Sequence, residues 1–207
     1  MRPQDLGLGF NSQEKRPVTD PTDLLQLVAE PLVTSRLELR IVADEDAAEL
    51  ERIINDREIA SNTNSIPYPY PAGELANWIE EHRELARQGQ ALPMTILSRE
   101  RERRPMGIIG LAIDREARTA ELGYWLGRDY WGQGLATEAA TATLGCGFDV
   151  LGLHRIHAHH LTRNPASGRV LEKAGMVREG LLRQHAFKWG VHEDIVWFGM
   201  LASDSRR

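Results

Sequence analysis

The sequence has a single cysteine, Cys146, among its 207 residues, which excludes an internal disulfide. The residues around Cys146 are small and apolar, so we expect a buried structural thiol rather than a nucleophile. No apolar run approaches the roughly 20 residues that a membrane-spanning helix needs, and the first residues lack the apolar core of a secretory signal. These absences predict a cytoplasmic protein that does not associate with a membrane.

Basic residues are also few relative to acidic ones, with 25 Lys and Arg against 30 Asp and Glu and a net charge of −5 at pH 7. This balance argues against a general nucleic-acid-binding surface and is more compatible with a cationic or amine partner. Hydrophobic residues make up 42% and charged residues 27% of the chain, as in an ordinary globular protein. The length predicts one large domain, or one domain and a tail.

Hydrophobic periodicity divides the chain into strands and helices. Alternating patterns and short apolar runs predict strands at 34–41, 92–99, 106–114, 119–127, 153–161, 176–183 and 193–201. Helical spacing predicts helices at 43–60, 74–88, 135–149 and 165–174, and a short helix within 22–30 that begins near Asp23. The order β, α, α, β, β, β, α, β, α, β, β is that of an α+β protein rather than of a regular βαβ repeat.

A glycine-containing turn follows the strand at 119–127, in the stretch AELGYWLGRDYWGQGLATE. Gly132 and Gly134 let the chain turn tightly and bring its N–H groups close to a ligand. The next stretch is rich in helix formers, and the N-terminus of that helix would aim unpaired N–H groups at an anion. Strand, glycine turn and helix start together predict a phosphate site, although neither the P-loop nor the dinucleotide pattern matches. The alternative is a tight turn without a ligand.

A second motif, NPASGRVLEKAGM, occupies residues 164–176. Asn164 suits a helix N-cap, Pro165 the first helical position and Gly175 the C-cap. In the simplest interpretation Asn164 and Ser167 only cap this helix and lie on its surface. In the alternative interpretation both residues lie near a ligand.

The segment WGQGLA at 131–136 resembles the coenzyme A loop of the GNAT N-acetyltransferase superfamily, whose pattern is Gln/Arg-x-x-Gly-x-Gly/Ala. Trp131 replaces the Gln or Arg, as in the branch of ribosomal-protein acetyltransferases of the RimJ/RimL type. The segment 164–176 resembles the N-x-x-S motif of the same branch, and the order of elements matches over residues 32–201. The resemblance implies a GNAT domain at 32–201, with a mixed, mostly antiparallel sheet of about seven strands flanked by helices. Residues 1–31 would form an N-terminal extension that is mobile or a short helix, and residues 202–207 a C-terminal tail.

The resemblance also implies an activity. The protein would move an acetyl group from acetyl-CoA to a primary amine by direct attack in a ternary complex, without a metal. The acceptor suggested by the branch is a protein N-terminal α-amine. Two alternatives stay open: a polyamine or aminoglycoside-like small amine as the acceptor, and a non-catalytic acyl-CoA-binding module. The sequence does not determine whether the chain is a monomer or a homodimer.

The residues that would bind the coenzyme follow from the two motifs. The resemblance assigns the pyrophosphate to the loop and helix start, and the pantetheine arm to a splay between neighbouring strands that Leu161 would help to line. The full set is Trp125, Leu126, Trp131, Gly132, Gln133, Gly134, Leu135, Ala136, Thr137, Asn164, Ser167 and Lys173.

Proton transfer needs an acid for the departing thiolate and a base for the amine. The tyrosine that serves as the acid in many superfamily members is missing from 165–175, and the branch assigns that role to the serine at Ser167, next to Asn164. Glu121 is the first candidate base and His185 the second, whereas a water chain would need neither. Aromatic residues expected to wall the acceptor site are Tyr68, Tyr70, Trp78 and Trp189, and Lys188 is a further candidate in the last hairpin loop.

Four histidines lie within residues 154–160, where a zinc site is an alternative to structural histidines. On a strand, His157 and His159 share one face and His160 lies on the other. The sequence near them supplies no Cys or carboxylate to complete a ligand set, so we expect no metal.

Overall fold

The computed structural model describes residues 23–100 and 103–204. Within them the chain forms a mixed sheet in the order β1-β2-β3-β4-β5-β6-β8-β7. Neighbouring strands are antiparallel except β5 and β6, which are parallel. The strands are β1 (Leu32–Val33), β2 (Leu37–Ile41), β3 (Ala91–Ser98), β4 (Pro105–Asp114), β5 (Thr119–Leu126), β6 (Arg155–Leu161), β7 (Val177–Lys188) and β8 (Val191–Leu201).

Helices lie on both faces of the sheet. They are α1 (Leu24–Leu27), α2 (Ala47–Ile54), α3 (Arg57–Asn62), α4 (Glu74–Arg87), α5 (Leu135–Gly145) and α6 (Pro165–Lys173), with 3-10 turns at Asp44–Asp46 and Arg128–Tyr130 and a π-helical turn at Cys146–Val150. None of the described helices is both long and apolar enough to cross a membrane.

Two apolar clusters hold the layers together. The larger one joins α5 and α6 to one face of the sheet, and its buried residues include Leu122, Leu135 and Leu171. The smaller one lies under α2 and α4, where Leu50 and Ile79 pack near Ile108. Side chains of a strand alternate between faces, so consecutive residues of β4 and β5 contribute to different clusters.

The parallel pair β5–β6 creates the main opening in the sheet. The two strands pair only from Thr119 with Arg155 to Glu121 with His157, although β5 continues to Leu126 and β6 to Leu161. Beyond Glu121 the strands therefore diverge, and a cleft opens toward the loop that precedes α5.

The expected α+β GNAT architecture is confirmed, with eight strands rather than about seven because β1 adds a two-residue edge. The single helix expected at 43–60 is wrong, because Asp56 starts a new helix. Its carboxylate accepts hydrogen bonds from the backbone N–H groups of Glu58 at 2.7 Å and Ile59 at 3.3 Å. An aspartate that caps a helix in this way separates α3 from α2.

The last hairpin is longer than expected, which corrects the loop placed between the final strands. Its turn consists of Trp189 and Gly190, with φ of 50° and 83°. Positive φ at both positions is typical of a type I′ two-residue hairpin turn. As a result His185 and Lys188 lie within β7 and not in a loop.

At the start of the described chain, α1 forms as expected, with the Asp23 carboxylate accepting a hydrogen bond from Leu25 N. Leu24 and Val28 are buried in the larger cluster. The domain boundary after residue 31 stays a prediction. Residues 1–22 of the proposed extension and 205–207 of the proposed tail lie outside the described residues.

Candidate active site

A cavity of about 520 Å³ opens between the end of β5, the loop at 127–134, the start of α5 and one side of α6. Most of the residues expected to bind the coenzyme line it, and the two motifs therefore meet in space. These residues are Trp125, Leu126, Trp131, Gly132, Gly134, Leu135, Ala136, Thr137, Asn164, Ser167 and Lys173.

The backbone of the loop has the conformation that an anion site needs. Gly132 and Gly134 have φ of 72° and 77°, in the left-handed region that favours glycine. Gly134 is the N-cap of α5, and no side chain caps this helix start. The N–H groups of Leu135, Ala136 and Thr137 have no carbonyl one turn back, so they are available to a phosphate at the positive end of the helix.

Glu138 fixes the first turn of α5 to the start of β2. Its carboxylate accepts hydrogen bonds from Thr34 Oγ1 at 2.6 Å, Ser35 Oγ at 3.0 Å and the backbone N–H of Arg36 at 2.9 Å. The Arg36 guanidinium pairs with the same carboxylate and donates to the carbonyl of Gln133. Burial raises the pKa of Glu138, but these hydrogen bonds outweigh burial and lower the pKa to about 2.

Two side chains of the loop brace it internally. Trp131 donates its indole N–H to the carbonyl of Leu126 at 2.7 Å, which ties the loop to the end of β5. Gln133 donates its amide to the carbonyl of Asp129 at 2.7 Å. The expectation of a cavity contact is not met for Gln133, whose side chain is turned toward the loop instead.

At the start of α6, Asn164 is the expected N-cap. Its side-chain oxygen accepts a hydrogen bond from Ser167 N at 3.2 Å, and its amide donates to the carbonyl of Asn62 at 3.2 Å. The second bond connects α6 to the end of α3, a contact between residues 102 positions apart. The helix motif thus both caps α6 and holds a distant segment at the cavity wall.

Tyr124 is a cavity residue that the sequence motifs do not single out. Its phenol oxygen lies 2.7 Å from Ser167 Oγ and 3.3 Å from the carbonyl of Ser167. Burial raises the pKa of Tyr124 to about 12, against the opposing effect of the hydrogen bond with Ser167. The alternation of β5 was the available signal, because it places Tyr124 on the face opposite Glu121, toward α6.

Positive charge lines the cavity along α6. Arg169 and Lys173 are four residues apart, hence neighbours on the helix surface, and both line the cavity. Arg163 also lines it but pairs with Glu193, Nε to Oε1 at 2.8 Å. Cations on this side complement a phosphate-rich ligand.

Glu121, the first candidate base, does not line this cavity. It lies on the other face of β5 and borders a shallower cavity of about 390 Å³. Its carboxylate is 3.0 Å from His159 Nδ1 and 3.9 Å from His157 Nε2. The interaction with His159 lowers the pKa of Glu121 in spite of partial burial. Burial lowers the pKa of His157.

The two histidines stack on Trp197 of β8, with ring centroids 5.1 Å and 5.5 Å from it. They share a face, as expected, whereas His160 is buried on the other side against Phe198. Glu121 supplies the nearby carboxylate that the local sequence did not show. Even so, the described residues contain no group of three or more Cys, His, Asp or Glu side chains placed to hold a metal.

His185, the second candidate base, is not brought to the cavity. It is exposed on β7, next to Gln184, which has a φ of 51° and donates its N–H to Asp194. Leu161, expected to line the splay, is buried against Ala186 and Ile195. Both corrections arise from the long β7–β8 hairpin, which the sequence pattern did not show.

The aromatic residues expected to wall the acceptor site divide into two groups. Tyr70 and Trp78 pack on the cluster under α2 and α4, together with Trp125. Tyr68 and Trp189 are exposed by 44% and 48%. None of the four expected aromatic residues lines the larger cavity.

Lys188 holds the segment between α3 and α4 in place. It is 6% exposed, and its ammonium donates to the carbonyls of Asn64 and Ile66. Burial lowers the pKa of this ammonium. With the bond from Asn164 to Asn62, it fixes residues 62–66 between the cavity and the last hairpin.

The comparisons with known proteins agree with this geometry. The acetyltransferase (GNAT) domain matches residues 36–177. An uncharacterized N-acetyltransferase, p20 of Bacillus licheniformis, is 34% identical over 173 residues, which cover 83% of this chain and 96% of that protein. The ribosomal protein uS5-alanine N-acetyltransferase of Escherichia coli K12 is 26% identical over 179 residues, covering 84% and 91%. Spermidine N-acetyltransferase from Vibrio cholerae, solved with CoA and spermine, has a TM-score of 0.73 at 23% identity and covers 84% and 100%.

The cavity lies at a glycine turn, a helix start and a parallel-strand cleft, where the resemblance to acyl-CoA-dependent transferases places the coenzyme. The chain belongs to the GNAT family of acetyltransferases. It is an acetyl-CoA-dependent N-acetyltransferase, and the resemblance to the RimJ/RimL-like branch is confirmed.

Proposed function

We propose that the acceptor is the α-amine at the N-terminus of a protein, and that it attacks acetyl-CoA directly in a ternary complex. The observation that carries this proposal is the β5–β6 cleft: the strands diverge beyond Glu121, the larger cavity lies on the α5–α6 face of β5, and Glu121 lies on the opposite face. Acetyl-CoA would enter from the first face and the amine from the second. The similarity to the uS5-alanine enzyme supports the class of acceptor.

The coenzyme would be held mainly by backbone. Its pyrophosphate would accept hydrogen bonds from the first turn of α5, and Arg169 and Lys173 would add positive charge. The pantetheine amides would pair with the backbone of β5 beyond Glu121, where β6 has diverged. A backbone N–H of the same strand would stabilise the oxyanion that develops on the thioester carbonyl.

The amine would enter on the face where Gly123 leaves room. A side-chain carbon added to Gly123 would meet no atom within 4 Å, and Gly123 is exposed between Glu121 and Trp125 on that face. Because the pKa of Glu121 is lowered, the carboxylate is ionised at neutral pH and attracts an ammonium. We propose that Glu121 acts as the base together with His159, whose Nδ1 lies 3.0 Å from the carboxylate.

The first experiment measures thermal unfolding of the protein with and without acetyl-CoA. Free thiol release and mass spectrometry then follow reactions with peptides that have a free N-terminus and no lysine, and with spermidine as the small-amine probe. We expect acetylation of the peptide α-amine. Acetylation of spermidine alone would replace the proposed acceptor by a polyamine, and acetyl-CoA stabilisation without acetylation of any probe would reject both.

A further inference from the structure

Tyr124 and Ser167 form a pair of hydroxyl groups on the wall of the coenzyme cavity. The two oxygens are 2.7 Å apart, and both residues line the cavity. They come from different elements, β5 and α6, whose contact is fixed by core residues such as Leu122 and Leu171. The packing of α6 on β5 thus brings the two hydroxyl groups together.

We propose that Tyr124 is a positioning residue that directs the hydroxyl hydrogen of Ser167 toward the sulfur of coenzyme A. The inference rests on the proposed function, since it places the thioester beside Ser167. It adds a residue that lies outside both sequence motifs, and it gives that residue a defined task in the reaction.

The hydrogen-bonding capacity of the two groups allows this direction. A serine hydroxyl has one hydrogen and can accept from others. The phenol can also donate to the Ser167 carbonyl at 3.3 Å, and either hydroxyl can donate in the 2.7 Å contact. In the arrangement that we propose, the phenol donates to Ser167 Oγ and leaves the serine hydrogen free to point into the cavity. Without the phenol, a serine in a helix can turn its hydrogen to the carbonyl one turn back. Burial keeps the phenol protonated at neutral pH, so it remains a donor during the reaction.

The hydrogen bond from Ser167 to sulfur would accelerate the reaction as the thioester breaks. The amine nitrogen forms a bond to the carbonyl carbon, the C–S bond breaks, and its electron pair stays on sulfur. The proton released by the amine goes to the base, and the thiolate takes one from solvent as the coenzyme leaves. A hydrogen bond to this developing anion is stronger than one to the neutral thioester, so it favours the transition state. The chain from Tyr124 through Ser167 to sulfur strengthens each bond in turn.

The test uses coenzyme A alone with the full-length protein, and it needs no acceptor. The pKa of the bound thiol is measured from the ultraviolet absorbance of the thiolate. A hydrogen bond to the thiolate lowers this pKa, so we expect the bound value to lie below that of free coenzyme A. Ser167→Ala should raise it by about one pH unit, and Tyr124→Phe by at least about 0.5 pH unit. The double variant should match Ser167→Ala, because both changes break one chain.

Tyr130→Phe is the matched control, since Tyr130 lines the same cavity. We expect this variant to keep the parent's thiol pKa. Calorimetry of coenzyme A binding separates a failure of the proposed function from a failure of the positioning role of Tyr124. A parent protein that binds no coenzyme A would reject the proposed function itself. Binding with an unchanged thiol pKa in Tyr124→Phe would overturn the positioning role alone. If that variant does not fold, an unchanged thiol pKa in Ser167→Ala overturns the same role.

Discussion

The two faces of the β5–β6 cleft are built in different ways. The coenzyme face comes mainly from two continuous stretches, around 124–137 and 163–173, with a smaller contribution from 59–63, and it presents backbone N–H groups at a helix start. The opposite face, which we propose as the acceptor face, gathers side chains from three strands, among them Glu121, His159 and Trp197. A site made of backbone depends on local conformation, whereas a site made of distant side chains depends on strand register. The two faces should therefore respond differently to substitution.

The largest effect is expected at Gly134. Gly134→Trp should abolish the stabilisation by acetyl-CoA, because a bulky side chain would fill the phosphate site at the start of α5. Saturating ligand at about 100 times its Kd would otherwise add about 2.7 kcal/mol. Thermal unfolding with and without acetyl-CoA measures this difference.

Gly73→Trp is the matched control, since Gly73 is the N-cap of α4 with a similar φ of 80° and does not line the cavity. It should cost similar backbone strain and keep the response to acetyl-CoA. Loss of the response in both variants would show that strain, and not blockage of the site, is the cause.

On the acceptor face, Glu121→Gln should lower kcat/KM for the acceptor by about 100-fold and leave acetyl-CoA affinity unchanged. The change removes the charge that holds the ammonium and pairs with His159. Steady-state kinetics with the peptide probe and calorimetry with acetyl-CoA measure the two quantities. Asp114→Asn alters another carboxylate of the same shallow cavity and should have little effect. Equal losses of kcat/KM in both variants would show that the overall negative charge of this face, and not Glu121 in particular, determines the rate.

Glu138→Gln tests the bracing of the coenzyme face. The pKa of Glu138 is about 2 in the folded protein against 4.5 for an ordinary glutamate, so its contribution to stability is present above pH 4.5 and is lost as pH falls toward 2. We expect the variant to lose about 2 kcal/mol at neutral pH, with a smaller loss as the pH decreases. Denaturant unfolding at several pH values measures this.

Glu84→Gln provides the comparison for that experiment, because Glu84 is an exposed carboxylate paired with Arg87. It should change the unfolding free energy little at any pH. If Glu138→Gln still lowers the unfolding free energy by the same amount near pH 2, the lowered pKa of Glu138 is not the source of its stabilising effect.

The smallest effect is expected for Lys188→Met. The substitution leaves the carbonyls of Asn64 and Ile66 without their donor. It also removes the cost of burying the ammonium, and this burial is what lowers the pKa of Lys188. We expect a loss of about 1 kcal/mol and a raised KM for the acceptor, with acetyl-CoA affinity retained. Phe187→Met, at a neighbouring residue that is 62% exposed, should change neither. A raised acetyl-CoA Kd would show that the segment 62–66 serves the coenzyme face instead.

The sequence predicted the backbone around the larger cavity well for a physical reason. Positive φ at Gly132 and Gly134, the cap at Asn164 and the helix starts of α5 and α6 are local properties, encoded within a few residues. The sequence did not predict which way two side chains point. Gln133 bonds within the loop and turns away from the cavity, whereas Tyr124 points to the cavity wall. Strand alternation could have identified Tyr124, because it determines which side chains of β5 point to the α5–α6 face of the sheet.

The acceptor face was predicted less completely because its parts are distant in the chain. Glu121 was chosen on its own, but its pairing with His159 depends on where β6 joins β5. His185 was placed in a loop that is in fact strand, because the two-residue turn at Trp189 was not recognised. Lys188 became a buried anchor for a segment more than 120 residues away.

By itself, the sequence determined the α+β class, the order of the elements and the backbone of the phosphate loop, since each follows from periodicity, glycine conformation or helix capping. The tertiary structure decided which side chains meet across the β5–β6 cleft: Tyr124 with Ser167 on one face and Glu121 with His159 on the other. These meetings depend on the register of a parallel strand pair and on the packing of α6, which long-range contacts fix and local sequence does not.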